Sequence, residues 1–223
     1  MNPRQGVLAG LPDDGLMYEM GRQIARDMRS MKIDVNFAPV VDVNLHPDVN
    51  TIKDRSFGPD KNLVADYGSA VMRGMQDGGV VACAKHFPGH GDTEVDSHKA
   101  LPVLKFPKER LDSVELYPFR RLIKDGVEMV MVGHLLVPVL DTLPASVSKV
   151  VVTDLLRKKM KFRGLIITDA LGMEGVLEPF GGSGAKATLA AYKAGVDILL
   201  MPDNVSESID LIVDYIGDDR RKL

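Results

Sequence analysis

The sequence predicts an α/β fold built around a parallel sheet, and three observations carry that expectation. Amphipathic helical stretches alternate with short apolar runs along the whole chain. Runs such as Val196-Asp197-Ile198-Leu199-Leu200-Met201 read as strands buried on both faces, as parallel sheets require. Nearly every such run is followed at once by a polar residue able to do chemistry: Asp42 and Asn44, Lys85 and His86, His134, Asp169, Asp203. A barrel gathers the C-terminal ends of all its strands around one site. An open doubly wound sheet gathers only those near its switch point. The third observation therefore favours a partial (β/α)8 TIM barrel.

The elements follow in order. Met17, Met20, Ile24, Met28 and Met31 recur at helical spacing and predict a helix over about residues 14–30, with Asp13 or Asp14 as its cap. A strand is expected over about 37–43. A helix over about 63–76 stops at Gly78-Gly79. A buried strand follows at 80–84. The next helix, about 111–124, is bent or restarted at Pro118 and ends at Gly126. A third strand is expected at 127–132, then a helix from its cap Thr153 to about Met160, and a fourth strand at 165–168. The last units are a helix over 185–194 ending at Gly195, a fifth strand at 196–201 and a helix at 206–216. Helix-linked strands should be parallel with right-handed crossovers. A closed barrel needs about eight strands, so the first strands are expected to be missing. Residues 1–223 then read as one domain that is a fragment of a larger barrel. Its open edges would expose apolar interior, which favours low stability or self-association.

Composition narrows the function classes. The chain has 223 residues, a size that suits a single barrel-type domain. Apolar residues are 45% of it and aromatics only 5%, so the core must be aliphatic and rich in Met. A net charge of −3 argues against nucleic acid or an anionic membrane surface as partner. Cys83 is the one cysteine, so no internal disulfide can form. No run is long enough for a membrane span, and no signal peptide is visible at the start.

The candidate chemistry concentrates after the second expected strand, where His86, His90 and His98 fall within one Gly/Pro-rich stretch. In Asp96-Ser97-His98 the carboxylate can hold the imidazole and stabilise its charged form, giving a proton donor and acceptor near neutral pH. The same triplet also suits a plain Asx turn. Asp169 follows the strand Leu165-Ile166-Ile167-Thr168 directly, where a carboxylate can attack an anomeric carbon or cap a helix near Gly172. Lys85 and His86 can bind vicinal hydroxyls or make a salt bridge on the rim. Arg55 can do the first or stand as a solvated charge. His46 reads as a surface residue. A metal-dependent hydrolase using His86, His90, Asp92 and His98 has the right ligand types. Loop placement, however, does not set those side chains on one helix face.

Residues 85–98, Lys-His-Phe-Pro-Gly-His-Gly-Asp-Thr-Glu-Val-Asp-Ser-His, resemble the signature of the β-N-acetylglucosaminidases of glycoside hydrolase family 3. Asn36-Phe37-Ala38-Pro39-Val40-Val41-Asp42-Val43, Arg55-Ser56-Phe57-Gly58 and Thr168-Asp169-Ala170-Leu171-Gly172-Met173 are similar to further segments of that family. The resemblance implies a (β/α)8 barrel and a retaining mechanism. Asp169 would be the nucleophile, His98 the acid and base, and Asp96 its partner. Lys85, His86 and Arg55 would bind the sugar. It implies no metal or other cofactor, and a GlcNAc-containing glycan or muropeptide as substrate. The alternative is a noncatalytic barrel fragment that binds carbohydrate or a partner. Location stays open between the cytoplasm and periplasm of a bacterium.

Overall fold

A computed structural model describes residues 5–8, 14–46, 52–93 and 101–217. Four strands, β1 (Val35–Asn36), β2 (Val81–Phe87), β3 (Met129–Val132) and β4 (Leu165–Thr168), form one parallel sheet in sequential order. Each strand thus lies beside the next in the chain. A doubly wound sheet would reverse its order at a switch point, and this one does not. The main helices are α1 (Asp14–Ser30), α2 (Lys61–Asp77), α3 (Leu116–Lys124), α4 (Gly184–Ala194) and α5 (Val205–Ile216).

The two faces of the sheet differ in what covers them. Ala82, Ala84, Val130, Val132 and Ile166 join a core with helical residues such as Val64, Val71, Phe119, Leu122 and Ala191. The alternate residues Cys83, Met129, Met131 and Ile167 form a second cluster, flanked by Val81, Ile198 and Leu200. Among the described residues, no helical side chain joins that cluster. Period-two alternation puts these two sets on opposite faces. Helices on one face and strand-only packing on the other make a partial (β/α)8 barrel, as the sequence predicts.

The strands depart from the expected bounds in three places. The first strand is broken: Val35–Asn36 pairs with β2, then the cis Ala38–Pro39 bond intervenes, and Val40 rejoins β2 through a single bridge to Lys85. Proline has no N–H for a ladder. The second strand runs three residues past its expected end, through Phe87, so Lys85 and His86 are strand residues. The fifth expected strand is present as an extended segment that touches β4 by one parallel bridge, Ile167 to Ile198. Five strands were expected and four are in the sheet.

Helix boundaries carry their own reasons. Asp60 accepts the Asn62 amide and starts α2 two residues early. Before Pro118 the chain forms a π turn over Leu111–Glu115 and then continues as α3. A proline ring clashes with the carbonyl four residues back, and a wide turn relieves that. Thr153 is no cap: the helix there is a π-helix, Val150–Lys159, whose Val151 amide is taken by Ser148 Oγ. Thr153 instead donates its hydroxyl to the Ala194 carbonyl, at the end of α4. The capping role expected of Asp13 or Asp14 falls outside the residues whose side chains are described. No helix of the described residues is long and apolar enough to cross a membrane.

Candidate active site

The site forms where the C-terminal ends of the strands converge. Its organiser is Asp42, fully buried just beyond the Val40 bridge. Asp42 Oδ1 accepts the backbone amides of His86 (3.1 Å) and His90 (2.7 Å), and Oδ2 lies 2.8 Å from His86 Nδ1. One carboxylate therefore fixes a ring and the turn that follows it. Burial alone would raise its pKa. The His86 ring, His90 and the amides outweigh burial and hold it below the ordinary carboxylate value.

Local irregularity aims the side chains. Ala84 pairs with Val130 and Phe87 with Val132, so β2 carries one more residue than β3 between these pairs. The extra length falls at Lys85 and His86, whose peptide bond is cis. A bulge of this kind re-aims side chains beside a site. Gly91 then crosses the exit of the first strand so closely that a Cβ would sit 2.0 Å from the Val43 carbonyl oxygen. Only glycine fits there.

Lys85 is half-buried, and its pKa is lowered first by burial and then by the charge of Arg55, with Asp169 pulling the other way. Lys85 therefore feels both of the charges expected to share its site. No carboxylate among the described residues pairs with Lys85, whereas His86 beside it faces the Asp42 carboxylate. Arg55 ends a 3-10 turn, Lys53–Arg55. The next residue, Ser56, is buried and donates its hydroxyl to the Asp42 carbonyl at 2.6 Å, which ties the Arg55 loop to the organiser.

Asp169 sits at the mouth of β4. Its amide donates to the Val132 carbonyl (2.9 Å) and its Oδ1 accepts the Ala170 amide (2.8 Å). No donor among the described residues reaches Oδ2. Burial pushes its pKa up, but His86, His134, the Ala170 amide and Lys85 together hold it below the usual carboxylate range. The carboxylate thus favours its ionised form, with no donor on Oδ2 among the described residues. It caps no helix: the short helix Glu174–Leu177 begins at Met173 without a side-chain cap.

Asp96 and His98 lie outside the described residues. The metal reading loses support on the rest of its ligand set. His86 Nδ1 faces Asp42, His90 Nδ1 faces the Thr93 hydroxyl (2.5 Å), and Asp92 pairs with Arg110 (3.2 Å). Among the described residues no three His, Cys, Asp or Glu side chains gather as a metal site. His46 is exposed, as expected, with its ring 3.7 Å from Asp92. Asp42 and His134 were visible in the sequence only as polar residues at strand ends. Their partners lie 44 and 36 residues away, and no local pattern shows that.

Comparison with known proteins agrees with this architecture. The family described as "Glycosyl hydrolase family 3 N terminal domain" matches residues 1–220. The chain is 36% identical to a β-hexosaminidase A of Pseudoalteromonas piscicida, over 91% of this chain and 36% of that protein. It is also 36% identical to a β-hexosaminidase of Methylobacillus flagellatus, over 91% of this chain and 57% of that protein. Among solved structures, a glycoside hydrolase family 3 β-N-acetylglucosaminidase from Paenibacillus superposes with a TM-score of 0.92 at 38% identity, covering 98% of this chain and 42% of that one. The chain thus spans between about a third and three-fifths of the length of these relatives. A family match along nearly the entire sequence, on a partial barrel with its polar residues gathered at the strand ends, shows that the chain belongs to glycosyl hydrolase family 3.

Proposed function

We propose that the protein to which this chain belongs is a retaining β-N-acetylhexosaminidase, removing terminal β-linked N-acetylglucosamine from glycans such as peptidoglycan fragments. The observation that carries this reading is Asp169: a carboxylate at a strand mouth, its pKa held low by His86, His134, the Ala170 amide and Lys85, with no donor among the described residues on its Oδ2. Asp169 attacks the anomeric carbon, forming an ester bond as the bond to the leaving oxygen breaks. His98, paired with Asp96, gives its proton to that oxygen. Water then attacks the same carbon and passes a proton to His98, and the carboxylate departs with its electron pair. Two displacements retain the configuration.

Lys85, Arg55 and His86 bind sugar hydroxyls in this account. Because a carboxylate only accepts, Asp42 assigns the proton of the His86 ring to Nδ1 and leaves Nε2 for the substrate. Replacing Asp169 with Ala in the full-length protein tests the reading. It should abolish release of p-nitrophenol from the β-N-acetylglucosaminide, and undiminished release would refute it.

The open sheet edges favour one further reading of this chain taken alone, self-association. Met201 is 70% exposed, and Val205, Ile209 and Val213 form an exposed stripe along α5. Light scattering should then give a mass that rises with concentration, and a strictly constant monomer mass would exclude it.

A further inference from the structure

His134 lies two residues beyond β3 and is fully buried, and one of its ring nitrogens faces the residue after Asp169. Its Nε2 is 2.9 Å from the Ala170 carbonyl oxygen, and its Nδ1 is 2.7 Å from the Ser146 hydroxyl. We infer that His134 is the positioning residue of the Asp169 carboxylate, holding Ala170, the residue after it, by its carbonyl. The inference rests on the reading of Asp169 as nucleophile and extends it to the group that aims that nucleophile.

The tautomer follows from the partners. A carbonyl oxygen only accepts, so Nε2 carries a proton. In the neutral ring Nδ1 accepts the Ser146 O–H. In the charged ring the same hydroxyl accepts instead. Ser146 is itself fully buried on a 3-10 turn, Ala145–Val147, so the far side of the ring is anchored as firmly as the near side.

The hydrogen bonds around Asp169 form a short chain of constraints. Its own amide is held by Val132. Its Oδ1 is held by the Ala170 amide. The peptide between Ala170 and Leu171 is gripped at both ends, its N–H by the Leu200 carbonyl (2.9 Å) and its carbonyl by His134. Remove the His134 bond and the Ala170–Leu171 peptide is held at its N–H alone, so Ala170 can shift, and with it the preceding peptide whose amide holds Oδ1. The carboxylate then loses its fixed direction. A small misplacement of a reacting atom costs rate, up to about a hundredfold for an ångström. Binding of the sugar by Lys85, Arg55 and His86 is untouched, so the loss falls on kcat and spares KM.

Kinetics on the full-length protein with p-nitrophenyl N-acetyl-β-glucosaminide test this, with three variants beside the Asp169→Ala control. His134→Ala should lower kcat by about ten- to a hundredfold with KM changed by less than about twofold. His134→Gln, whose side-chain amide can reach the Ala170 carbonyl, should recover most of that loss. His134→Asn, too short to reach, should not, and it carries the test if His134→Ala fails to fold. A kcat within about twofold of the parent in folded His134→Ala or His134→Asn overturns the inference, as does a loss expressed in KM. An active Asp169→Ala would instead remove the nucleophile reading and this inference with it. An inactive Asp169→Ala beside an unimpaired His134→Ala would remove only the inference.

Discussion

Asp42, just past the first strand, holds the imidazole of His86 on the second: Oδ2 lies 2.8 Å from Nδ1, with both side chains buried. The same carboxylate takes the amides of His86 and His90 on its other oxygen. A local stretch of sequence rich in histidine thus owes its shape to a residue 44 positions earlier.

Breaking this arrangement should cost both stability and activity. Asp42→Ala leaves a buried ring and two amides without their acceptor, and each buried donor left unsatisfied costs about 1–3 kcal/mol. Urea denaturation should show that loss. Asp42→Asn keeps an acceptor for the two amides and should lose less, about 1–3 kcal/mol, while activity falls because the His86 ring is no longer fixed in one tautomer.

Much of this site is legible in the sequence, and the reasons are physical. Lys85, His86 and Asp169 stand directly at the ends of apolar runs, and parallel strands flanked by helices bring such ends together. Asp42 was visible at a strand end too, but its grip on His86 depends on strand pairing that no local spacing encodes. The strand boundaries were less legible. Pro39 breaks the first ladder, and the bulge at Lys85 and His86 lengthens the second strand into what composition marks as loop. The π turn before Pro118 is legible only as a disturbance, because the sequence shows the clash and not how the chain relieves it.

Acid should destabilise the fold in two windows. The His90 pKa is lowered, first by burial and against the pull of Asp42. Below the ordinary histidine value of about 6.5 the unfolded chain takes up a proton that folded His90 resists, so stability falls as pH drops to its folded pKa. Asp42 and Asp169 have lowered pKa values in the fold. Their contribution is complete above about 3.9 and is lost as pH falls through the folded values. Melting temperature against pH should show both slopes. His90→Gln should flatten the upper one and leave the lower. A single slope below pH 4 in the parent would contradict the role given to His90.

Activity should not depend on a bound metal. Of the expected ligands, His86 Nδ1 faces Asp42, His90 Nδ1 faces Thr93 and Asp92 is paired with Arg110. A zinc site would need about four ligands held together. The full-length protein should keep its rate after dialysis against a chelator. Stoichiometric metal by elemental analysis, with activity lost on removal and restored on addition, would reverse this view.

In the proposed mechanism Asp169 forms a covalent bond to the sugar. A 5-fluoro glycosyl fluoride of N-acetylglucosamine, whose ring fluorine slows release of the sugar, should trap that ester in the full-length protein. Intact mass should rise by one fluorosugar, and peptide mapping should place it on the peptide that contains Asp169. A label on another carboxylate, or inactivation with no mass increase, would contradict the account.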